Sequence, residues 1–318
     1  MRSGPLLLLL GCGANSPDPL DTADDGGTDT ADTADTQDTQ DTQDTQDTQD
    51  TQDTQDTQDT GVETEPEDYS VSGPYSVSAQ SQTISASCDM DTQIFTPDAP
   101  DAPLVVLGHG FVRGPEQLVG WAEHLASWGF TVAVPLLCHS SFLDTDHETN
   151  GEDMLAIPDA LGASSVIYGG HSAGGLAAFV SAALDIRALG VIGLDATDAD
   201  DIGLSYAGIL SVPALGMLGE PSSCNAHGNG AGLYQTASDA LSVRVTDADH
   251  CDYESDTDWV CTSFCSNASA TFSDEEIQAT IRGLTTAAVF EILAGGTEWW
   301  EEGQFYDELV AGGQIVPQ

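Results

Sequence analysis

Ten residues near the middle of the chain restrict its fold more than any other stretch. Residues 166–175 have the sequence Val-Ile-Tyr-Gly-Gly-His-Ser-Ala-Gly-Gly, and an alanine-rich run follows up to Leu184. A strand that turns into a helix within so few residues needs small side chains on both sides of the turn, because the chain doubles back on them. The stretch therefore predicts a strand, a sharp turn at Ser172 and a helix.

The serine in this turn is a candidate nucleophile. Residues 170–174 fit the pattern G-x-S-x-G, in which the turn exposes the serine hydroxyl at its tip. The N-terminus of the following helix favours negative charge that develops beside it. The alternative interpretation is an ordinary strand-to-helix turn in which Ser172 caps the helix.

Apolar runs elsewhere in the chain alternate between strand-like and helix-like patterns. We predict strands at 75–87, 90–96, 104–107, 130–134, 165–168, 188–194, 212–218 and 242–245, and helices at 115–128, 149–161 and 273–293. Strands that alternate with helices indicate an α/β fold with a doubly wound, mostly parallel sheet.

The first 17 residues are predicted to be an export signal. A basic start at Arg2 precedes the apolar run 6–10, which is too short to span a bilayer. The run ends in Leu-Leu-Gly-Cys, which resembles the lipobox of bacterial lipoproteins and implies cleavage before Cys12 and lipidation of its sulfur. The alternative is a chance cysteine. The resemblance implies export and a lipid anchor on the bacterial outer membrane or cell surface, with the periplasmic side also open.

An acidic low-complexity segment at 18–68 follows the signal. Its core repeats Asp-Thr-Gln from 35 to 58, with a charge at every third residue and almost nothing apolar to bury. Such a segment stays disordered and is extended by its own charge, so we interpret it as a tether for a folded domain at 69–318.

The charge of the chain restricts its partners. The 318 residues carry a net charge of -48 and no lysine. From Tyr69 onward there are still 34 acidic residues and only four arginines. Nucleic acid is excluded as a partner, because binding to phosphates needs clustered Lys and Arg. We expect a monomer.

The order of motifs resembles the α/β-hydrolase superfamily. A His109-Gly-Phe111 loop follows a predicted strand, the Ser172 turn comes next, an acid follows a later strand, and a histidine comes near the C-terminus. Within the superfamily, residues 108–111, 121–132 and 193–198 look like segments of the chlorophyllase, cutinase-like polyester hydrolase and platelet-activating-factor acetylhydrolase group, and the loop at 219–229 is similar to that group as well. The resemblance covers about residues 104–253 and implies an α/β-hydrolase fold.

The resemblance implies a base and an acid that activate Ser172. His250 comes a few residues after the strand at 242–245, where this fold places its base. The acid has three candidates: Asp195 directly ends a predicted strand and is favoured, whereas Asp198 and Glu220 remain open. The backbone N–H groups of Ala173 and Phe111 are the candidate oxyanion-hole donors.

Six cysteines remain after Cys12, and an even number in an exported domain predicts up to three disulfides of open connectivity. One bridge from Cys251 would restrain the loop that carries His250. A zinc site is the alternative, although the spacing contains no CxxC pair. Residues 144–153 superficially resemble a calcium loop but lack the glycine of the sharp turn, so an acidic surface loop is favoured. We predict no metal and no cofactor.

Together these expectations describe a serine hydrolase that cleaves carboxylic esters through Ser172, His250 and Asp195. The substrate would be a small-molecule, lipid or polymer ester, with a lipase or amidase as the runner-up within the same chemistry. The alternative from another class is a non-catalytic surface module that uses the fold for binding.

Overall fold

The computed structural model describes residues 68–255, 257–265, 271–294 and 304–318. The predicted signal with Cys12, and the predicted tether except Asp68, lie outside the described residues. Tyr69, with which the predicted domain begins, is buried among aromatic rings of the core.

The strands and helices of the described residues alternate along most of the chain. The strands are β1 (Val77–Ser85), β2 (Asp89–Pro97), β3 (Leu104–Gly108), β4 (Thr131–Pro135), β5 (Ser140–Ser141), β6 (Asp144–Thr145), β7 (Val166–His171), β8 (Ala188–Leu194), β9 (Ala214–Leu218), β10 (Ala240–Val245) and β11 (Ile315–Pro317). The helices are α1 (Val119–Ser127), α2 (His147–Met154), α3 (Ala156–Leu161), α4 (Ala173–Leu184), α5 (Ile202–Ala207), α6 (Ala231–Thr236), α7 (Trp259–Cys265), α8 (Asp274–Ala294) and α9 (Gln304–Ala311). A 3₁₀ turn at Pro115–Leu118 precedes α1.

A nine-stranded sheet forms the centre of the molecule, in the order β1-β2-β4-β3-β7-β8-β9-β10-β11. The six strands from β4 to β10 are parallel, and antiparallel strands extend both edges. The central strands β3, β7 and β9 are buried along their whole length, as expected for strands covered on both faces. The fold is therefore mixed α/β with a large, mostly parallel sheet, as the alternating pattern predicted.

Helices cover both faces of the sheet and divide the core into two layers. One layer packs α1, α8 and α9 against the sheet around Trp121, Ile281 and Leu284. The other packs α2 to α6 against the opposite face around Met154, Phe179 and Tyr234. Burial of such side chains is the main stabilising contribution to the fold, each giving about 1.5–3 kcal/mol.

The predicted elements are all found; β8 has the predicted bounds, and the bounds of the others are shifted. The helix predicted at 149–161 is two helices, α2 and α3, and α2 starts where the Asp146 carboxylate caps the Thr149 N–H. The helix predicted at 273–293 starts with a capping box between Ser273 and Glu276. Seven short elements were not predicted, because two to eight residues carry too little periodicity: α5, α6, α7, α9, β5, β6 and β11.

Strand order positions the candidate site. From β3 the chain crosses to β4 on one side, and β7 lies on the other side, so the carboxyl ends of β3 and β7 border a switch point. Ligands of open α/β sheets bind in the crevice at such a point. The loop that contains Phe111 and the turn at Ser172 both start there. No helix among the described residues is long and apolar enough to cross a membrane.

Candidate active site

The turn between β7 and α4 is strained, and two glycines make it possible. Ser172 has φ 55° and ψ -123°, a left-handed conformation that L residues rarely adopt. A Cβ on Gly174 would collide with the Gly108 carbonyl, and one on Gly170 would collide with the Gly174 carbonyl. The sequence therefore uses glycine on both sides of Ser172 because the backbones of β3, β7 and α4 approach one another here.

A continuous hydrogen-bonded chain joins the three residues favoured from sequence. The Oγ atom of Ser172 lies 3.0 Å from Nε2 of His250, and Nδ1 of His250 lies 2.7 Å from Oδ2 of Asp195. All three residues are buried, with exposures of 8%, 7% and 1% respectively. In this arrangement His250 accepts the serine proton at Nε2 while Asp195 accepts a hydrogen bond from Nδ1–H.

Two further donors hold the Asp195 carboxylate. The Gly219 N–H donates to Oδ1 at 2.9 Å, and the Asn225 side-chain amide donates to Oδ2 at 3.1 Å. The Asn225 Nδ2 group also donates to the Glu220 carbonyl, and its Oδ1 accepts a hydrogen bond from the Ser222 N–H, so the amide is fixed at both ends. Sequence reasoning did not identify Asn225, which lies in the loop between β9 and α6, as a site residue.

The other two candidate acids lie elsewhere. The Asp198 carboxylate accepts hydrogen bonds from the Ala199 and Gly203 amides and so caps the start of α5. Glu220 contributes backbone groups, with its N–H donating to the Ala248 carbonyl. Within the described residues, Asp195 is the carboxylate that contacts His250.

The two candidate oxyanion donors lie next to the nucleophile. Ala173 is the first residue of α4, and the first amides of a helix have no acceptor within it. Phe111 lies in a turn closed by a hydrogen bond from the Arg113 N–H to the Gly110 carbonyl. The Thr197 hydroxyl, which sequence reasoning missed, is 3.5 Å from the Ser172 hydroxyl.

An open, mostly apolar cavity of about 250 Å³ leads to Ser172. Its apolar lining residues are Phe111, Val112, Val260 and Phe264. Phe111 packs edge-on against Phe142, with ring centroids 5.2 Å apart. The cavity therefore offers dispersion contacts and few hydrogen-bond partners to whatever approaches the serine.

The six cysteines form three disulfide pairs: Cys88–Cys138, Cys224–Cys265 and Cys251–Cys261. The Cys251–Cys261 bridge ties the residue after His250 to α7, as expected for a restraint on the loop of the base. The sulfur atoms of Cys251, Cys261 and Cys265 lie within 4.8 Å of one another. Because each belongs to a disulfide, none is a thiolate, and the pairing does not fit the zinc alternative.

The calcium-like segment at 144–153 also has a structural role. Asp144 and Thr145 form β6, and Asp146 caps α2. Asn150 is bonded through its side chain to the backbone of His139. These side chains are engaged in local structure. The interpretation of the segment as a surface loop was wrong for residues 147–153, which belong to α2 and include the buried Asn150 and Asp153.

Three other histidines are buried and structural. Burial lowers the pKa of His109 and His124, the latter to about 4, and lowers that of His171 well below its usual value. His109 accepts a hydrogen bond from the Leu137 N–H, and His124 contacts the Tyr69 carbonyl. They are neutral at pH 7 and are held by the backbone.

No protein-family model matches the chain, and no curated protein matches it at a significant level.

Proposed function

We propose that the protein is a serine hydrolase of carboxylic esters, built on an α/β-hydrolase fold. The observation that carries the proposal is the buried chain from Ser172 through His250 to Asp195 at the end of an apolar cavity. Supporting it are the strained serine at a helix N-terminus and the position of the site at a switch point of the sheet.

In the proposed reaction, the Ser172 oxygen attacks the ester carbonyl carbon while its proton passes to Nε2 of His250. Asp195 stabilises the imidazolium that forms. The Ala173 and Phe111 amides donate to the oxyanion of the tetrahedral intermediate. His250 then gives its proton to the departing alcohol, which leaves an acyl-serine. Water, deprotonated by His250, attacks the acyl group, and the acid is released as the Ser172 hydroxyl is restored.

The cavity favours an apolar acyl or alcohol group. Its side chains present ring and methyl carbons to the substrate, and its volume accommodates a small acyl chain or one unit of a longer polymer or lipid ester. A lipase or amidase would use the same steps and differs only in what the cavity accepts and in the leaving group.

Turnover of short p-nitrophenyl esters by the full chain tests the proposal, with Ser172→Ala as the matched control. We expect hydrolysis and covalent labelling by a fluorophosphonate probe in the wild type, and neither in the variant. Absence of both in a folded wild-type chain would leave the non-catalytic binding module as the surviving interpretation.

We also propose that the chain is exported and anchored through lipid on Cys12, with residues 18–68 as the tether. The support is the lipobox-like Leu-Leu-Gly-Cys and the acidic repeat. Metabolic labelling with an alkyne fatty acid in a bacterial host tests it. Label on the wild type and none on Cys12→Ser is expected, whereas equal labelling of both refutes the anchor.

A further inference from the structure

A buried ion pair links the two loops that meet over Ser172. Arg113 lies two residues after Phe111 in the loop that follows β3. Its Nε and Nη2 atoms each donate to one carboxylate oxygen of Glu254 at 2.6 Å. A third donor, Nη1, reaches Asp258 at 3.0 Å. This bidentate geometry constrains both the separation and the orientation of the two side chains.

The acidic partner belongs to the loop that carries the base. Glu254 is four residues after His250, and its N–H donates to the Cys251 carbonyl within the same loop. It is fully buried, at 0% exposure. Burial raises the pKa of Glu254, while hydrogen bonds from Arg113 act in the opposite direction. A carboxylate buried in this way is tolerated because a guanidinium pairs with it.

The turn that carries the nucleophile contributes to the same network. His171 donates from Nε2 to the His250 carbonyl at 3.0 Å, and its ring lies against the His250 ring with centroids 4.5 Å apart. Its Nδ1 is buried without a hydrogen-bond partner and lies 3.9 Å from Oε1 of Glu254. The carboxylate of the ion pair is therefore adjacent to His171, the residue that precedes Ser172.

Other contacts hold the base loop, but at a different place. The Trp121 indole donates to the Tyr253 carbonyl at 2.6 Å, and the Ser255 N–H donates to the Gln117 carbonyl at 2.9 Å. Trp121 belongs to α1 and Gln117 to the 3₁₀ turn, and both elements follow the Phe111 turn in the chain. Arg113 makes the ionic contacts that join the Phe111 turn itself to the segment after His250: a buried one to Glu254 and an exposed one to Asp258.

We propose that Arg113 and Glu254 are positioning residues for catalysis, which hold the Phe111 amide and the His250 ring in register over Ser172. This inference rests on the proposed hydrolase function. A transition state needs both groups at once, the amide for the oxyanion and the imidazole for the proton. Displacement of reacting groups by about 1 Å costs on the order of 100-fold in rate. A positioning role therefore predicts an effect on kcat. Because Arg113 and Glu254 also line the cavity, KM is measured separately to detect a change in binding.

Three variants of the full chain test the inference on a p-nitrophenyl ester. Arg113→Lys keeps the charge but loses the bidentate geometry, and we expect kcat to fall about 10- to 100-fold with KM within about twofold. The double variant Arg113→Met with Glu254→Leu leaves no unpaired buried charge and protects folding. Its kcat should stay about 100-fold low at a near wild-type Tm, and its fluorophosphonate labelling rate should fall in parallel.

Arg187→Lys is the matched control. Arg187 also bridges two carboxylates, Asp185 and Asp159, but just before β8, at the end of that strand opposite to Asp195. We expect its kcat to be unchanged.

Each outcome decides one question. A double variant with wild-type kcat, or a loss confined to KM or to Tm, overturns the positioning role while the hydrolase proposal stands. A folded wild-type chain without turnover or labelling overturns the hydrolase function and this inference with it.

Discussion

Two serine–histidine–aspartate chains occur in the described part of the molecule, and their hydrogen-bond distances are almost the same. In the first, Ser172 and His250 are 3.0 Å apart, and His250 and Asp195 are 2.7 Å apart. In the second, the Ser87 Oγ lies 2.9 Å from Nε2 of His139, whose Nδ1 lies 2.8 Å from Oδ1 of Asp144. Distance alone does not distinguish a nucleophile from a structural hydroxyl.

The two serines differ in exposure, in the acceptor of the hydroxyl hydrogen bond and in backbone conformation. Ser87 is exposed in the turn between β1 and β2, and its hydroxyl donates to Asp153 at 2.6 Å. Because the Ser87 hydroxyl donates its hydrogen bond to Asp153, the His139 Nε2–H must be the donor in the contact between His139 and Ser87. Ser172 is buried in a strained turn, beside a helix N-terminus and an apolar cavity.

The same kind of hydrogen-bonded chain therefore has a structural role at Ser87 and a proposed catalytic role at Ser172. In the Ser87 chain, a carboxylate at each end stabilises a cationic His139 and anchors a surface loop. In the Ser172 chain, none of the carboxylates that the structure describes accepts a hydrogen bond from the serine hydroxyl, and the Ala173 and Phe111 amides are the proposed oxyanion donors. Four predictions test this difference, from the largest expected effect to the smallest.

Removal of each serine hydroxyl should have opposite consequences. Ser172→Ala should reduce ester turnover by about 10⁴-fold or more, because the covalent route is lost. Ser87→Ala should change turnover less than about twofold, since the Ser87 hydroxyl is exposed and donates to Asp153. Steady-state rates on a p-nitrophenyl ester measure both. A Ser87 variant as inactive as the Ser172 variant would contradict the distinction.

Neutralising the aspartate should lower turnover in the Ser172 chain and leave it unchanged in the Ser87 chain. Asp195→Asn should lower kcat by about 10²- to 10⁴-fold, because His250 loses the partner that sets its tautomer and stabilises its cation. Asp144→Asn is the matched control and should leave kcat within about twofold. If Asp195→Asn retains near-normal turnover, then Asp195 is not the acid.

Loss of the disulfide beside His139 should lower only the stability of the fold, whereas loss of the disulfide beside His250 should lower both stability and kcat. Cys88–Cys138 adjoins both Ser87 and His139 and closes a 50-residue span, so its loss should destabilise the fold by about 4 kcal/mol. Cys251–Cys261 closes a span of 10 and should cost about 3 kcal/mol. We expect only the Cys251→Ala/Cys261→Ala variant to lower kcat, because that bridge adjoins His250. Thermal melts and kcat of the two double variants measure this, and an equal loss of kcat in both would refute it.

The smallest effect concerns pH. The hydrogen bond to Asp144 raises the pKa of His139 above its usual 6.5. A raised pKa means that the folded state holds the proton more tightly, so this stabilisation is present below about pH 6.5 and is lost as pH rises through the folded pKa. Because Asp144 is 60% exposed, we expect less than about 1 kcal/mol.

The difference in Tm between wild type and Asp144→Asn measures this contribution. It should be about 1–3 °C near pH 6 and should vanish near pH 9. Added salt should shrink it, because the pair is exposed to solvent. A difference that grows with pH would contradict the assignment.

Local patterns in the sequence were enough to predict the central architecture. The strand at 188–194 has the predicted bounds, and the glycines around Ser172 predicted its turn from steric need alone. The prediction of one helix at 149–161 was wrong in detail, because the helix is interrupted near Leu155, before the helix that contains Pro158. Side-chain partners were harder, since Asp195, Asp198 and Glu220 all lie within four residues of the carboxyl end of a strand.

By itself, the sequence determined the strand–turn–helix at Ser172, the parallel α/β sheet and the acidic composition of residues 18–68, because these depend on residues near one another in the chain. Only the tertiary structure decided which acid contacts His250, which cysteines pair and that Arg113 meets Glu254. Those partners are separated by 55 residues for Asp195 and His250, and by 141 for Arg113 and Glu254. Contacts over such separations depend on how the strands and helices pack, which no local periodicity encodes.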